Sequence, residues 1–405
     1  MSILSTQIVA VITLNLVMIM YFYFKKDIFL LFYMLFHMPL STLQIVYIYV
    51  NSPMYTIGLH QVNHELLNVS VLFILAKLST IMLLSILSPM RIVSNYSYKR
   101  EIYYSKIKSF IIMLLVVSLA IFFVFYFIGI NSFIYNTRPA TKGGSMIFLI
   151  LLITMLYPSF VNFHSRNYFN AFDFMAIIVV VVILGFTSKM HALSLIIGLV
   201  ILYISKNKTK RISIKTLMVL GIVFLSFIYL QIIKDTSDTD YLRNFNLLLF
   251  MLYEFGNETF LGLHSAISSK YDSINSFSNN YGLYSIIDGI QKVIPSQLRP
   301  QTFEDLYLLD NGYDQRQSIV ASIDEEFFRA FNLIGAMIAG SIWFLVLRLL
   351  GDKLTRSQIN PFIFSVLVIL PFIVRGPSIV VINHLIFIII FGMFLHYIYP
   401  RVVLR

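Results

Sequence analysis

The chain has no cysteine, one tryptophan and little charge: Asp, Glu, Lys and Arg make up 12% of its 405 residues. Without cysteine there is no disulfide framework, no thiolate nucleophile and no thiolate metal site. Low charge with 58% hydrophobic residues and a mean hydropathy of +0.82 argues against a soluble domain. No HExxH motif is present, only His60 and His64 stand four apart (in HQVNH) and the other histidines are scattered, so a metal site is not expected. A cleavable signal peptide is not expected either. The first apolar run, Ile3–Phe24, has no basic region before it and no small-residue cleavage site after it, and reads as a retained helix.

What the chain does have is a series of apolar windows about 20 residues long, enough to cross a hydrocarbon core of roughly 30 Å. In lipid the backbone must satisfy its own hydrogen bonds, so continuous apolar runs become helices, whereas a barrel would show alternation. The expected fold is all-α and polytopic, with about 11 transmembrane helices. They are placed at 3–24, 28–50, 66–89, 109–130, 144–163, 170–187, 190–205, 214–233, 331–349, 360–374 and 378–399. Three parts follow: helices over 1–233, a long external loop over 234–328, and the last three helices over 329–405.

The formal charge of +11 is distributed as a topology signal rather than a nucleic-acid footprint. Alternate connections collect Lys25 and Lys26, then the cluster from Arg91 to Lys108, then Arg166. The same side takes the run from Lys206 to Lys215, then Arg348, Lys353 and Arg356, and finally Arg401 and Arg405. Lys and Arg favour the cytoplasmic side, which puts the N-terminus outside, the C-terminus inside and the long loop outside.

Four cations break this pattern at the external ends of helices: Arg138 and Lys142 in NTRPATKGGS, Lys189 in FTSKMHA and Arg375 in IVRGPS. Each alone reads equally as a flanking charge snorkelling to the headgroups. Together, in turns rich in Gly, Pro and Ser, they suggest an anion site in which Gly143, Gly144 and Gly376 let backbone amides approach a phosphate. Lys77, in VLFILAKLSTIMLL, falls near the middle of the third span, where an ammonium costs roughly 2.5–3.5 kcal/mol. It must face a cavity or a partner, and no embedded Asp or Glu is an evident mate.

The loop from Lys234 to Phe328 is too long for a plain connector. Its segments 244–266 and 281–294 read as amphipathic helices on or in the membrane surface. Tyrosines among Asp, Glu, Asn, Gln and Arg suit a carbohydrate, through ring stacking and hydroxyl bonding, although each alone is ordinary packing. The loop ends in the densest acidic cluster, Asp324, Glu325 and Glu326, beside Arg329 in SIDEEFFRAFNLIGAMIAG. Acids at a helix start are also favoured simply by the macrodipole, by about 0.3–1 kcal/mol each.

This architecture resembles the oligosaccharide repeat-unit polymerases, the O-antigen polymerase or Wzy family. SIDEEFFRAFNLIGAMIAG resembles their pattern of a Glu, an aromatic-rich turn and a Gly-x-x-Gly helix start. Glu326 takes the acidic position and Gly335 the second glycine, while Asn332 stands where glycine is more usual. FTSKMHALSLIIGLVILYI resembles a short basic turn that opens a central helix, with Lys189 for the more frequent Arg. RGPSIVVINHLIFIII resembles the Arg-containing turn before the final helix, giving Arg375.

The resemblance implies a GT-C-like, metal-independent membrane glycosyltransferase without cofactors, in the bacterial inner membrane with a periplasmic N-terminus and long periplasmic loop. Its substrate would be undecaprenyl-pyrophosphate-linked oligosaccharide, polymerised into O-antigen or a related surface polysaccharide at the periplasmic face. Membrane lipid and a chain-length regulator protein are the other partners this implies; nucleic acid is not one. Displacing pyrophosphate calls for preorganised cations, for which Arg138, Lys142, Lys189, Arg243, Arg316, Arg329 and Arg375 are candidates. The acceptor hydroxyl needs a base: Glu326 first, then His264, with Asp314 or Glu325 in reserve. Arg316 and Arg329 serve equally well as partners of the acids. Rival readings are a lipid-linked oligosaccharide flippase, against which the dominant loop and missing internal repeat count, and an O-antigen ligase. A membrane acyltransferase would rest on an embedded His, and His384 reads better as a satisfied core residue.

Overall fold

A computed structural model of the chain describes residues 3–51, 56–57, 60–61, 64–88, 100–129, 145–166, 169–187, 189–206, 263, 323–356, 359–375, 378–398 and 401–404. The expected eighth span (214–233), and the long loop apart from Leu263 and its last residues, lie outside them. The described chain is helical, with two short antiparallel ladders, and five helical stretches, one of them (Ile147–Arg166) interrupted by a turn, are long and apolar enough to cross a membrane. Five shorter apolar helices accompany them. The chain divides into two units: residues 1–91, 244–351 and 371–383 form one, and residues 92–243, 352–370 and 384–405 the other.

The first unit begins with helix α1 (Ile3–Lys25), closed by Lys26 at φ 58°. The Asp27 amide donates to the Phe22 carbonyl at 3.1 Å and the Lys26 amide to the Tyr23 carbonyl at 3.2 Å. That pair of bonds is a Schellman closure, which needs its penultimate residue in the left-handed region. Asp27 then caps α2 (Ile28–His37) by accepting from the Leu30 amide at 3.4 Å. Its second oxygen accepts from Arg348 Nη1 at 2.8 Å, so the turn after α1 and the far end of a later helix are held together.

The expected second span is not one regular helix. After α2 the chain widens into a π-helical turn, Met38–Thr42, and resumes as α3 (Leu43–Asn51). Pro39 offers no amide hydrogen, and the wider turn lets the rod continue past it. A short hairpin follows, β1 (Thr56–Ile57) with β2 (His60–Gln61). Helix α4 (His64–Leu87) packs along α1, and the Tyr21 hydroxyl donates to the Ser85 carbonyl at 3.2 Å.

In the second unit β3 (Arg100–Tyr103) leads to α5 (Lys106–Phe123), whose Ser105 cap accepts from the Lys108 amide at 3.4 Å. A π turn over Val124–Ile128 extends α5 to Gly129, at φ 79°. The expected fifth span breaks into α6 (Ser145–Thr154) and α7 (Tyr157–Arg166), with Pro158 in the first turn of α7. Helices α8 (Ala171–Thr187) and α9 (Lys189–Lys206) complete this run, α8 packing on α5 and α9.

A buried polar knot joins α5, α7 and α8. The Asp173 carboxylate accepts from Asn162 Nδ2 at 3.0 Å and from the Ser159 hydroxyl at 3.3 Å, and the Asp173 amide donates to Asn170 at 2.9 Å. Tyr104, between β3 and α5, donates its hydroxyl to the Leu395 carbonyl at 3.1 Å, and burial pushes its phenol up.

Four further helices close the chain: α10 (Ile323–Phe331), α11 (Ile334–Arg356), α12 (Pro361–Arg375) and α13 (Ser378–Ile398). Strand β4 (Arg401–Leu404) pairs antiparallel with β3, Arg100 opposite Leu404. Residues 100–103, just before α5, and residues 401–404 therefore lie side by side.

Candidate functional site

The chain's most unusual residue by composition, Lys77, anchors the site. Its Nζ donates to both oxygens of Asp324, at 2.8 and 2.7 Å, and these side chains are 3% and 5% exposed. The ammonium also lies 5.8 Å from the centroid of the Tyr33 ring. Sequence alone offers Lys77 no evident mate; the structure corrects this, for the mate comes from the acidic cluster, 247 residues away. Asp324 falls within the segment expected to be an external loop, which conceals the pairing.

The depth of that meeting point matters. Lys77 lies 13 residues from the start of α4 and 10 from its end, about 20 Å and 15 Å along the axis. Asp324 is therefore beside the middle of an apolar helix rather than at its mouth. One turn on, Phe328 meets Phe73 edge to face at 5.9 Å, and Phe73 lies one turn before Lys77. Helix α10 thus starts halfway along α4 and runs back towards its N-terminal end.

Two residues then reverse the chain. Asn332 takes φ 56°, a conformation asparagine tolerates better than most side chains, and its amide donates to the Phe328 carbonyl at 2.7 Å. Asparagine does there what the more usual glycine would do. Three residues on, a Cβ at Gly335 would run into the Phe327 carbonyl. The two positions of the Gly-x-x-Gly pattern are thus a left-handed turn and a point of backbone contact. Helix α11 returns along α4, where a Cβ on Gly340 would sit 2.8 Å from the Lys77 carbonyl oxygen. Its far end brings Arg348 to Asp27.

All three acids of the cluster are buried: Asp324 is 4% exposed, Glu325 0% and Glu326 4%. They occupy the first turn of α10, where the partial positive charge of the helix favours carboxylates. That favour is small beside the cost of burying an unpaired carboxylate, which for Asp324 the Lys77 ammonium offsets. Asp324 is fully engaged by Lys77. Glu326, the first-choice base, is buried within the cluster rather than at an external surface.

The other candidates are placed less completely. Lys189 opens α9, Arg375 closes α12 and Arg329 lies in α10, each fixed by its backbone alone. Arg138, Lys142, Arg243, His264, Asp314 and Arg316 lie outside the described residues. His384 has a partner that sequence reasoning missed: its Nε2 lies 2.8 Å from His191 Nε2, with the rings stacked at 5.0 Å and both buried. This supports a satisfied core histidine. Among the described residues, no three of His, Asp and Glu gather where they could hold a metal ion.

The fold and its apolar helices define a multi-helical membrane protein with a buried ion pair and acidic cluster in its first unit. Comparisons with protein-family models, curated proteins and solved structures returned no match.

Proposed function

We propose that the chain is a metal-independent membrane glycosyltransferase that polymerises undecaprenyl-pyrophosphate-linked oligosaccharide repeat units. It would act at the periplasmic face of a bacterial inner membrane, within an 11-span, GT-C-like architecture whose N-terminus is periplasmic and whose C-terminus is cytoplasmic. The observation that carries this reading is the buried carboxylate cluster at the start of α10, within the segment that resembles the polymerase pattern. An O-antigen ligase, the related alternative, would differ in its acceptor.

In the proposed reaction the bond between the anomeric carbon and the pyrophosphate oxygen breaks while the acceptor hydroxyl oxygen bonds to that carbon. The hydroxyl proton passes to a carboxylate, and undecaprenyl pyrophosphate leaves with the electron pair. Asp324 is committed to Lys77, so the proton falls to Glu326, with His264 and Asp314 as alternatives in the long loop. The cations Arg138, Lys142, Lys189, Arg243, Arg316, Arg329 and Arg375 are the pool from which the departing charge would be stabilised. A base buried among apolar helices works where water is scarce, which favours transfer over hydrolysis.

A second reading has its own support. An ion pair halfway along an apolar helix is also what a carrier uses to line a polar path, so a flippase for the same lipid-linked oligosaccharide stands beside the transferase. The test is the surface glycan of cells carrying Glu326→Ala or Arg375→Ala in place of the native chain. Loss of long chains with single-repeat products retained supports polymerisation. Loss of both, with no repeat unit labelled at the outer face, supports the flippase. Unchanged chain lengths in both variants remove the site assignment.

A further inference from the structure

Hydrogen bonds and ring contacts draw one end of the second unit together. Ser109 of α5 accepts from Asn162 Nδ2 of α7 at 3.1 Å and from Asn170 Nδ2, just before α8, at 3.0 Å. The Tyr104 amide donates to Asn162 Oδ1 at 2.7 Å, and its hydroxyl reaches the Leu395 carbonyl of α13. Phe163 of α7 stacks on Phe169 at 4.5 Å and lies 6.4 Å from Tyr203 of α9. Strand β4 joins the same end by pairing with β3.

Cations gather there on these segments: Arg100 in β3, Lys106 and Lys108 in α5, Arg166 closing α7, Lys206 closing α9 and Arg401 in β4. The carboxylates within residues 100–109, 157–173, 200–206 and 395–404 are Glu101 and Asp173, and Asp173 is buried in the polar knot. A bias in Lys and Arg is enough to orient a chain, and the turn after α1 in the first unit makes do with Lys25 and Lys26 while Asp27 pairs Arg348. Helix stability does not ask for the excess either. Lys106 and Lys108 stand in the first turn of α5, where the partial positive charge of the helix disfavours cations. An anion from outside the chain would reverse that cost.

The surrounding surface tells which anion. Lys106 is exposed and heads an apolar strip along α5, in which Ile107 is 73% exposed and Phe110, Ile111 and Leu114 are exposed as well. Tyr203 and Tyr397, 49% and 75% exposed, stand in the last turns of α9 and α13, and exposed tyrosines favour the headgroup level of a bilayer. A soluble polyanion has no use for an apolar strip beside its cations. A phospholipid lays its acyl chain along the strip and its phosphate among the cations. We infer that this end of the second unit binds anionic glycerophospholipid, in the leaflet that the charge bias makes cytoplasmic. The inference holds for a transferase and a carrier alike, so the glycan phenotype of Glu326→Ala neither makes nor breaks it.

The absence of native cysteine allows a local probe on the full chain. Ile107→Cys supplies the only thiol, next to Lys106, and carries a bimane fluorophore in phosphatidylcholine nanodiscs. Quenching by phosphatidylglycerol with brominated acyl chains is compared with quenching by brominated phosphatidylcholine at equal mole fraction. Phe125→Cys, at a position 62% exposed in the π turn that ends the same helix, is the reference.

The expected result is a preference for phosphatidylglycerol of about fivefold or more beside Lys106, the attraction of roughly one basic residue, and none at the reference position. Adding Lys106→Gln and Lys108→Gln should bring the preference close to one while thermal unfolding shows the fold retained. Equal quenching by the two lipids beside Lys106 overturns the inference. The same preference at both positions overturns it too, because the attraction then belongs to the whole surface. A preference that survives both glutamine substitutions is equally fatal.

Discussion

Replacing Lys77 by methionine keeps the length of the side chain and deletes its charge. The Asp324 carboxylate then stays 5% exposed and loses the donor that meets both its oxygens at 2.7 and 2.8 Å. Breaking a buried pair from one side costs about 3–5 kcal/mol, because the remaining charge has neither water nor partner. At about 1.4 kcal/mol per tenfold, the folding equilibrium constant should fall by roughly two to three and a half decades. Replacing both members, as Lys77→Met with Asp324→Leu, removes the stranded charge. Apolar replacement of a whole buried pair is often near neutral, so the double variant should recover at least about 2 kcal/mol relative to Lys77→Met. Reversible unfolding by SDS titration in mixed micelles measures all four members of the cycle. The reasoning fails if the double variant loses the sum of the single losses, for then the two residues do not interact.

At the α10–α11 reversal, Asn332→Gly should leave thermal stability within about 0.5 kcal/mol, while Asn332→Val, forced to a positive φ, should lose about 1–2 kcal/mol or more. Gly335→Ala should lower the melting temperature measurably because its methyl meets the Phe327 carbonyl. Gly185→Ala, with nothing within 4 Å and a helical setting, should gain about 0.5–1 kcal/mol in the same assay. In the second unit, His191→Phe and His384→Phe should each lose about 1–3 kcal/mol, and the double variant less than their sum, read by the same unfolding titration.

Long apolar runs were the most legible part of the chain. The expected limits 3–24, 66–89 and 378–399 fall within a few residues of α1, α4 and α13, since hydropathy and backbone satisfaction act along a single segment. Breaks inside spans were not legible. The π turn at Met38–Thr42 and the interruption before Tyr157 depend on how a proline is absorbed by its neighbours. Helix α10 was the larger miss, being short and amphipathic, so that it read as the end of a polar loop. With it went the partner of Lys77. The cost of an ammonium in an apolar helix announced that a partner existed, but distance along the chain concealed which one. Asn332 looked like a departure from the glycine pattern until its backbone angle showed that it adopts the conformation a glycine would supply.

The Lys77–Asp324 pair also sets a timetable for biogenesis. The residues are separated by 247 positions, and ribosomes add about 5–20 residues per second. Helix α4 therefore leaves the ribosome some 12–50 seconds before Asp324 exists. During that interval the ammonium must be accommodated without its counter-ion, in a segment apolar enough to enter the bilayer all the same. The nascent bundle has to be held by α1 and α2 or by the insertion machinery until the last quarter of the chain arrives. Truncated or stalled chains that end before α10 carry that burden permanently, which makes them natural targets for membrane quality control.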